Sequence, residues 1–345
     1  MSKAVLLLNL GTPAAPTTKG LREYYRHFFA DPYVFDFNPL GRWLLRNLII
    51  LPFRAPRVAK DYEKIWMEGG SPLKVYAERL EASVQAAFDE VGEDVKVCTA
   101  MNYSQPLVRD VMADLEAAGV REILVLPMYP QYSSATTASI FAQVREAAQR
   151  WHVAPQLYFV NDLYAEPAFV RAWSIVIAGY LEGDAVDHVI FSYHGVPEKT
   201  IRKEDKAGVC EFGACCEQIG PDNRYCYRAQ CVQTTENIAR ALGWKKDDYS
   251  IAFQSRFGPL PWLQPYLDEH LEQLVKDGVR RVAVVTPSFV SDCLETLFEI
   301  GVEYREQYLE AGGENFALVP NLNDDPAWFA AVHEIAAKHL AAPKQ

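Results

Sequence analysis

Residues 187–197, DHVIFSYHGVP, decide how this chain is read. Val189-Ile190-Phe191 is short, apolar and β-prone, and it stops at Ser192-Tyr193-His194-Gly195-Val196-Pro197. That is the pattern of a buried strand breaking into a tight turn at its carboxyl end. In parallel α/β sheets, ligands bind beyond the carboxyl ends of the strands. A histidine delivered there is placed to move a proton or hold a metal. A lone histidine more often only closes a turn, so its task is set by what surrounds it.

Similar runs recur along the chain. Strands are expected at 5–10, 95–101, 123–128, 156–160, 189–193, 250–254, 282–286 and 316–319, with amphipathic helices such as 106–118 and 265–277 between them. This alternation implies parallel sheets with helices on both faces. The chain also repeats itself. Leu10-Gly11-Thr12-Pro13 resembles His194-Gly195-Val196-Pro197. One helix leads from Pro106 to Gly119-Val120-Arg121, and another of the same length leads from Pro265 to Gly278-Val279-Arg280. The fold class is therefore α/β: two similar Rossmann-like domains facing a central cleft. The first is expected over 1–165 with 321–345, and the second over 166–320. The final helix, 327–340, crosses back to the first.

The totals fit that picture. The chain has 345 residues, enough for two cores, and half of them are apolar. Its formal net charge of −11, without a basic block, argues against nucleic acid as a partner. The N-terminus enters a strand with no cleavage signal, which points to the cytoplasm. No apolar run is long enough to span a bilayer. The nearest, residues 40–53 (LGRWLLRNLIILPF), suits a bilayer surface, an apolar ligand or a lid helix.

A second chemical site follows the strand at 282–286. Asp292 and Glu295 make a D-x-x-E capping box, but Glu295, Glu299 and Glu303 continue at i, i+4 and i+8. At a strand end, that line suits an oxygen-ligand track for a divalent cation as well as a solvated face. The loop Gln254-Ser255-Arg256-Phe257-Gly258-Pro259-Leu260-Pro261-Trp262 and the stretch Pro127-Met128-Tyr129-Pro130-Gln131-Tyr132-Ser133-Ser134 stand at equivalent places in the two halves. With Arg54, Arg57, Lys60 and Tyr62 they suggest a flat apolar ligand carrying anionic groups.

Five segments in this order resemble ferrochelatases over nearly the whole chain: Leu8–Pro13, Tyr129–Ser133, Ser192–Pro197, Gln254–Trp262 and Ser291–Leu297. The resemblance implies insertion of Fe²⁺ into protoporphyrin IX, with two protons released. It matches His194 and Glu295 to the family's essential histidine and glutamate, with Glu299 and Glu303 as relay. Leu10, Arg54, Tyr62, Tyr129, Ser133, Trp262 and Phe289 match substrate-binding positions. Residues 40–53 match a lip that touches the inner membrane face in some members. Cys293 and Leu10 differ from the His and Met of animal members, so Cys293 receives no role. A coproporphyrin ferrochelatase is the nearest alternative, and a non-catalytic haem-binding or iron-sulfur sensor is one of another class. A cobalt chelatase of a sirohydrochlorin-like ring fits less well, given the loop 254–262. The oligomeric state is not fixed by these features.

Five of the seven cysteines lie within 210–231, in a loop too rich in glycine to have its own core. Four thiolates there suit Zn²⁺ or [2Fe–2S]. The resemblance favours the cluster, on Cys210, Cys216, Cys226 and Cys231, with Cys215 interchangeable with Cys216.

Overall fold

The computed structural model describes residues 2–35, 38–183 and 185–341. A strand forms at every expected apolar run: β1 (Lys3–Asn9), β2 (Val95–Met101), β3 (Glu122–Pro127), β4 (Gln156–Phe159), β5 (His188–His194), β6 (Tyr249–Gln254), β7 (Arg281–Val285) and β8 (Asn315–Leu318). Among the described residues the α-helices are α1 (Thr18–Phe28), α2 (Pro39–Leu44), α3 (Ala55–Ile65), α4 (Pro72–Glu90), α5 (Val108–Ala117), α6 (Ser139–Ala148), α7 (Pro167–Leu181), α8 (Glu198–Glu204), α9 (Tyr227–Ala241), α10 (Leu267–Lys276), α11 (Arg305–Glu310) and α12 (Pro326–Ala341). Three further segments, Leu45–Arg54, Ser134–Ala138 and Glu295–Tyr304, are π-helical.

The strands form two four-stranded parallel sheets, ordered β2-β1-β3-β4 and β6-β5-β7-β8. Two compact units carry them. The first comprises Met1–Tyr129, Ser133–Asn161 and Val332–Gln345, and the second Pro130–Tyr132 and Asp162–Ala331. The last helix is thus shared between them, and residues 342–345 of the expected first-domain tail lie outside the described residues.

The central strands are central because their sequences allow no exposed face. Ala4–Leu8 is buried throughout, as are Ile190 and Phe191 in β5. A sheet covered by helices on both sides needs such unbroken apolar runs. Burying one side chain of that size contributes about 1.5–3 kcal/mol. The helices begin where capping chemistry permits. Thr17 accepts the Gly20 N–H ahead of α1, and Ser71 accepts the Lys74 N–H ahead of α4. Proline opens α4, α7 and α12, where its missing N–H costs nothing.

The internal repeat extends to single hydrogen bonds. The Met101 N–H donates to Pro106 O in the first unit, and the Phe253 N–H donates to Pro265 O in the second. Gly119 and Gly278 both take positive φ just after their helices, α5 and α10.

A half-buried polar trio sits at the start of the second sheet. His188 Nε2 and His270 Nε2 lie 2.9 and 2.7 Å from Ser250 Oγ. A serine hydroxyl has one proton and two lone pairs, so it can donate to one imidazole while accepting from the other, and the ring that accepts its proton is neutral. Burial holds both histidines below their usual pKa. As pH falls through about 6.5 the unfolded chain therefore binds protons that the folded chain resists. The stability this trio contributes is full above that pH and drains as pH drops through the depressed folded values. The urea midpoint should accordingly fall between pH 7 and pH 5.5. His270→Gln should flatten that slope, and an unchanged slope would show that the trio does not govern it.

Candidate functional site

His194 is the last residue of β5 and is half-buried. Three contacts fix it. The Ser288 hydroxyl accepts its N–H at 3.3 Å, and the Tyr227 hydroxyl donates to its carbonyl at 2.8 Å. Its Nδ1 lies 2.6 Å from Gly195 O. A carbonyl oxygen only accepts, so Nδ1 carries a proton, and in the neutral ring the lone pair is on Nε2. In that form Nε2 is the nitrogen able to take a proton or ligate a metal. The Phe289 ring packs 6.3 Å from the imidazole, centroid to centroid.

The turn after His194 depends on Gly195. Its N–H donates to Gln254 O at 2.8 Å, extending the β5–β6 register by one bond. A Cβ at Gly195 would stand 2.8 Å from that same oxygen and 3.2 Å from Trp262 Cε3. Trp262 is itself held by its Nε1–H to Phe257 O, 3.0 Å, and by the Pro197–Trp262 bridge. Histidine, glycine and tryptophan therefore form one packed corner.

The expected capping box does not form. Asp292 is buried and engaged with Asn323, which donates to its carboxylate at 2.6 Å and accepts the Asp292 N–H at 2.8 Å. Thr296 Oγ1 also donates to Asp292, at 2.9 Å. Burial raises the Asp292 pKa. Glu295 makes no capping bond, and its carboxylate is free of that duty.

The helix expected to carry the three glutamates is π-helical instead, with i→i+5 hydrogen bonds, a form that recurs at functional sites. Glu295 and Glu299 are half-buried and Glu303 is exposed. Burial pushes the Glu299 pKa up to about 7, the nearby Glu295 and Glu303 charges add to that, and hydrogen bonding from Ser255 opposes it. Ser255 Oγ donates to Glu299 Oε2 at 2.6 Å, and Tyr304 Oη donates to Oε1 at 3.4 Å. Ser255 directly follows Gln254, the β6 partner of His194. Strand pairing, rather than sequence proximity, links the carboxyl line to the histidine turn.

In the first unit, Leu10 and Tyr129 follow β1 and β3, at strand ends equivalent to those bearing His194 and Phe289. The stretch 127–134 therefore matches the turn after β7 and not, as expected, the loop 254–262, which follows β6 and matches the turn after β2. The Tyr129 hydroxyl is buried without a hydrogen-bond partner among the described residues. Ser133 caps the π-helical segment Ser134–Ala138 by accepting the Ala135 N–H. Asp31, which sequence reasoning missed, accepts from both Tyr103 Oη and Ser139 Oγ at 2.5 Å, pinning the loop after α1 to the turn after β2 and the start of α6. No motif marks it, because its partners come from distant elements.

The apolar stretch 40–53 divides between α2 and the π-helical segment Leu45–Arg54. Pro52 inside it lacks the N–H that a regular ladder needs. Leu40, Trp43, Leu48, Ile49 and Phe53 are exposed. Arg22 Nε to Leu51 O, 3.0 Å, and Arg46 to Arg26 O, 3.1 Å, tie the segment to α1. Arg54 ends the segment, and Tyr62 on α3 stacks edge-on with Trp66.

The cysteines are arranged differently from the expected quartet. Cys210, Cys215 and Cys226 line a cavity of about 400 Å³. Cys215 and Cys216 have sulfurs 3.6 Å apart, close to the roughly 3.8 Å expected for two thiolates 2.3 Å from one tetrahedral metal. The Cys226 thiol donates to Cys216, which with Arg228 pulls the Cys216 pKa down to about 5. Cys231 instead lies fully buried on α9 beside Tyr227. Among the described residues, no three of His, Cys, Asp or Glu gather closely enough to hold a metal. The donor chemistry suits a thiolate centre, but Cys210, Cys216, Cys226 and Cys231 are not gathered around one point. Gly195→Ala should cost about 1–3 kcal/mol by overpacking against a backbone oxygen that cannot yield. Chemical denaturation measures this, and a wild-type midpoint would contradict the tight corner.

Residues 2–340 match the ferrochelatase family model. A ferrochelatase of Coxiella burnetii is 40% identical over 337 residues, covering 97% of this chain and 93% of the relative. One of Legionella pneumophila is 37% identical over 340 residues, covering 99% and 100%. Among solved structures, the fold resembles SirB from Bacillus subtilis with Fe³⁺, with a TM-score of 0.55, 12% identity and coverage of 99% and 96%. The sirohydrochlorin chelatase SirB of B. subtilis subspecies spizizenii in complex with cobalt gives a TM-score of 0.52 at 11% identity, covering 98% and 95%.

Proposed function

The chain belongs to the ferrochelatase family, and we propose that it inserts Fe²⁺ into protoporphyrin IX, releasing two protons, as the last step of haem synthesis. The observation that carries the mechanism is the fixed tautomer of His194. Gly195 O holds the proton on Nδ1, so Nε2 is ready to accept a pyrrole N–H proton or to meet the metal. Glu295, free of capping, is the carboxylate donor to Fe²⁺. Glu299 has a pKa near 7, so at neutral pH it both accepts and releases protons, and it passes them on with Glu303 toward solvent.

Leu10, Arg54, Tyr62, Tyr129, Ser133, Trp262 and Phe289 are the porphyrin-contacting residues in this reading. The orphaned Tyr129 hydroxyl supports it, since a buried donor without a partner calls for one. The rigid corner of Gly195, Pro197 and Trp262 suits a wall that keeps the macrocycle bent, a shape closer to the transition state. The exposed apolar side chains of residues 40–53, interspersed with Arg42 and Arg46, favour a peripheral membrane contact there. No helix among the described residues is long and apolar enough to cross a membrane.

The cysteine segment takes no part in these steps. Its thiol-lined cavity supports a [2Fe–2S] centre, with Zn²⁺ as the alternative, provided that the thiols draw together on binding. Anaerobically purified protein should be reddish-brown, contain acid-labile sulfide and bleach with dithionite. Colourless protein with one zinc per chain would replace the cluster by zinc.

His194→Ala should lower metal insertion by about 10²–10⁴-fold with the fold intact by circular dichroism. Near-normal turnover would remove it as the base. Glu295→Gln should abolish insertion yet still quench porphyrin fluorescence on binding. Parallel anaerobic assays with Fe²⁺ and protoporphyrin or coproporphyrin decide the substrate. Turnover of coproporphyrin alone would overturn the protoporphyrin assignment.

A further inference from the structure

Ser255 occupies a backbone conformation that its residue type disfavours. Its φ is +64°, in the left-handed region, where a β-carbon crowds the following carbonyl and glycine is the usual occupant. Such outliers persist when the surroundings require the side chain, and they cluster at functional sites. Here the surroundings are specific. The Ser255 hydroxyl donates to Glu299 Oε2 at 2.6 Å. Its backbone also hydrogen-bonds that carboxylate and helps hold its pKa down. Glycine would fit the backbone but could not supply the hydroxyl, and in a right-handed conformation the next residues would leave β6 in another direction.

The two carboxylate oxygens are therefore unequal. Oε2 receives the short bond from the Ser255 hydroxyl, whereas the side-chain bond to Oε1, from Tyr304 Oη, is 3.4 Å long. We propose that Ser255 is a positioning residue for Glu299, its hydroxyl presented from the end of β6 so that Oε2 is held and Oε1 is the oxygen that takes the proton. This rests on the reading of Glu299 as a proton relay. In the step, an O–H bond forms at Oε1 from a carboxylate lone pair. The electron pair of the broken bond stays on the group that gave the proton, and Ser255 keeps its own proton throughout. Ser255 touches neither substrate nor metal in this scheme.

Two variants separate the hydroxyl from the backbone. Ser255→Gly removes the hydroxyl and suits the left-handed conformation. Ser255→Ala removes the hydroxyl and keeps the β-carbon. Both should lower kcat for metal insertion by about 10- to 100-fold, the scale expected for a displaced catalytic group, with KM for the porphyrin unchanged. Ser255→Gly should do so without lowering the thermal midpoint. Ser255→Asn, which tolerates positive φ and offers an amide donor, should recover part of kcat. Normal kcat in Ser255→Gly overturns the proposal, as does a loss that tracks thermal stability across the variants. Glu299→Gln, measured alongside, keeps the two readings apart. If it inserts metal normally, the relay itself fails. If it is slow while Ser255→Gly is normal, only the positioning role fails.

Discussion

The bond from the Gly195 N–H to Gln254 O carries the second unit's chemistry. It adds one rung to the β5–β6 ladder past the end of regular pairing. That rung turns the chain away from the sheet, and the Gly195 carbonyl fixes the protonated nitrogen of His194. Only a residue without a β-carbon can come so close to Gln254 O. The imidazole tautomer, the seat of Trp262 and the position of Ser255 after Gln254 follow from one backbone approach.

The first unit uses the same backbone plan for other ends. It has the same strand order, and its turn after β1 also needs glycine. Gly11, at φ +102°, would place a Cβ 2.5 Å from Ser104 Oγ. The residue before the glycine is Leu10 rather than histidine, however, and the nearby polar groups are hydroxyls and amides anchored on Asp31. A duplicated scaffold thus presents leucine and hydroxyls at the strand ends of one unit, and histidine and carboxylates at those of the other. The distinction lies in a few side chains at equivalent positions.

Electrostatics in the second unit depends on competing demands for hydrogen bonds. Asp292 and Asn323 satisfy each other, and Thr296 completes the set. Glu295 is left out of the cap, and Glu299 is left with burial and two neighbouring charges that favour its protonated form. Ser255 opposes them, so the carboxyl sits near neutrality rather than locked in either state.

The sequence by itself determined the strands, the repeat, the histidine turn and the family. All of these are written in short-range patterns: apolar runs of strand length, glycine and proline at turns, and motifs in a fixed order. It misread Asp292, because a D-x-x-E spacing carries no sign that Asn323, from beyond β8, will claim the carboxylate first. It could not show the π-helical turns, since segments of ten residues or fewer hold too few apolar positions to reveal a changed period. Nor could it sort five cysteines, because spacing along a loop does not reveal that the fold buries Cys216 and Cys231 and leaves the other three half-exposed. Tertiary structure alone decided which nitrogen of His194 is free, and that Ser255 and Glu299, forty-four residues apart, share a proton-sized distance. Those facts arise from strands meeting side by side, and the chain brings such partners together only when it folds.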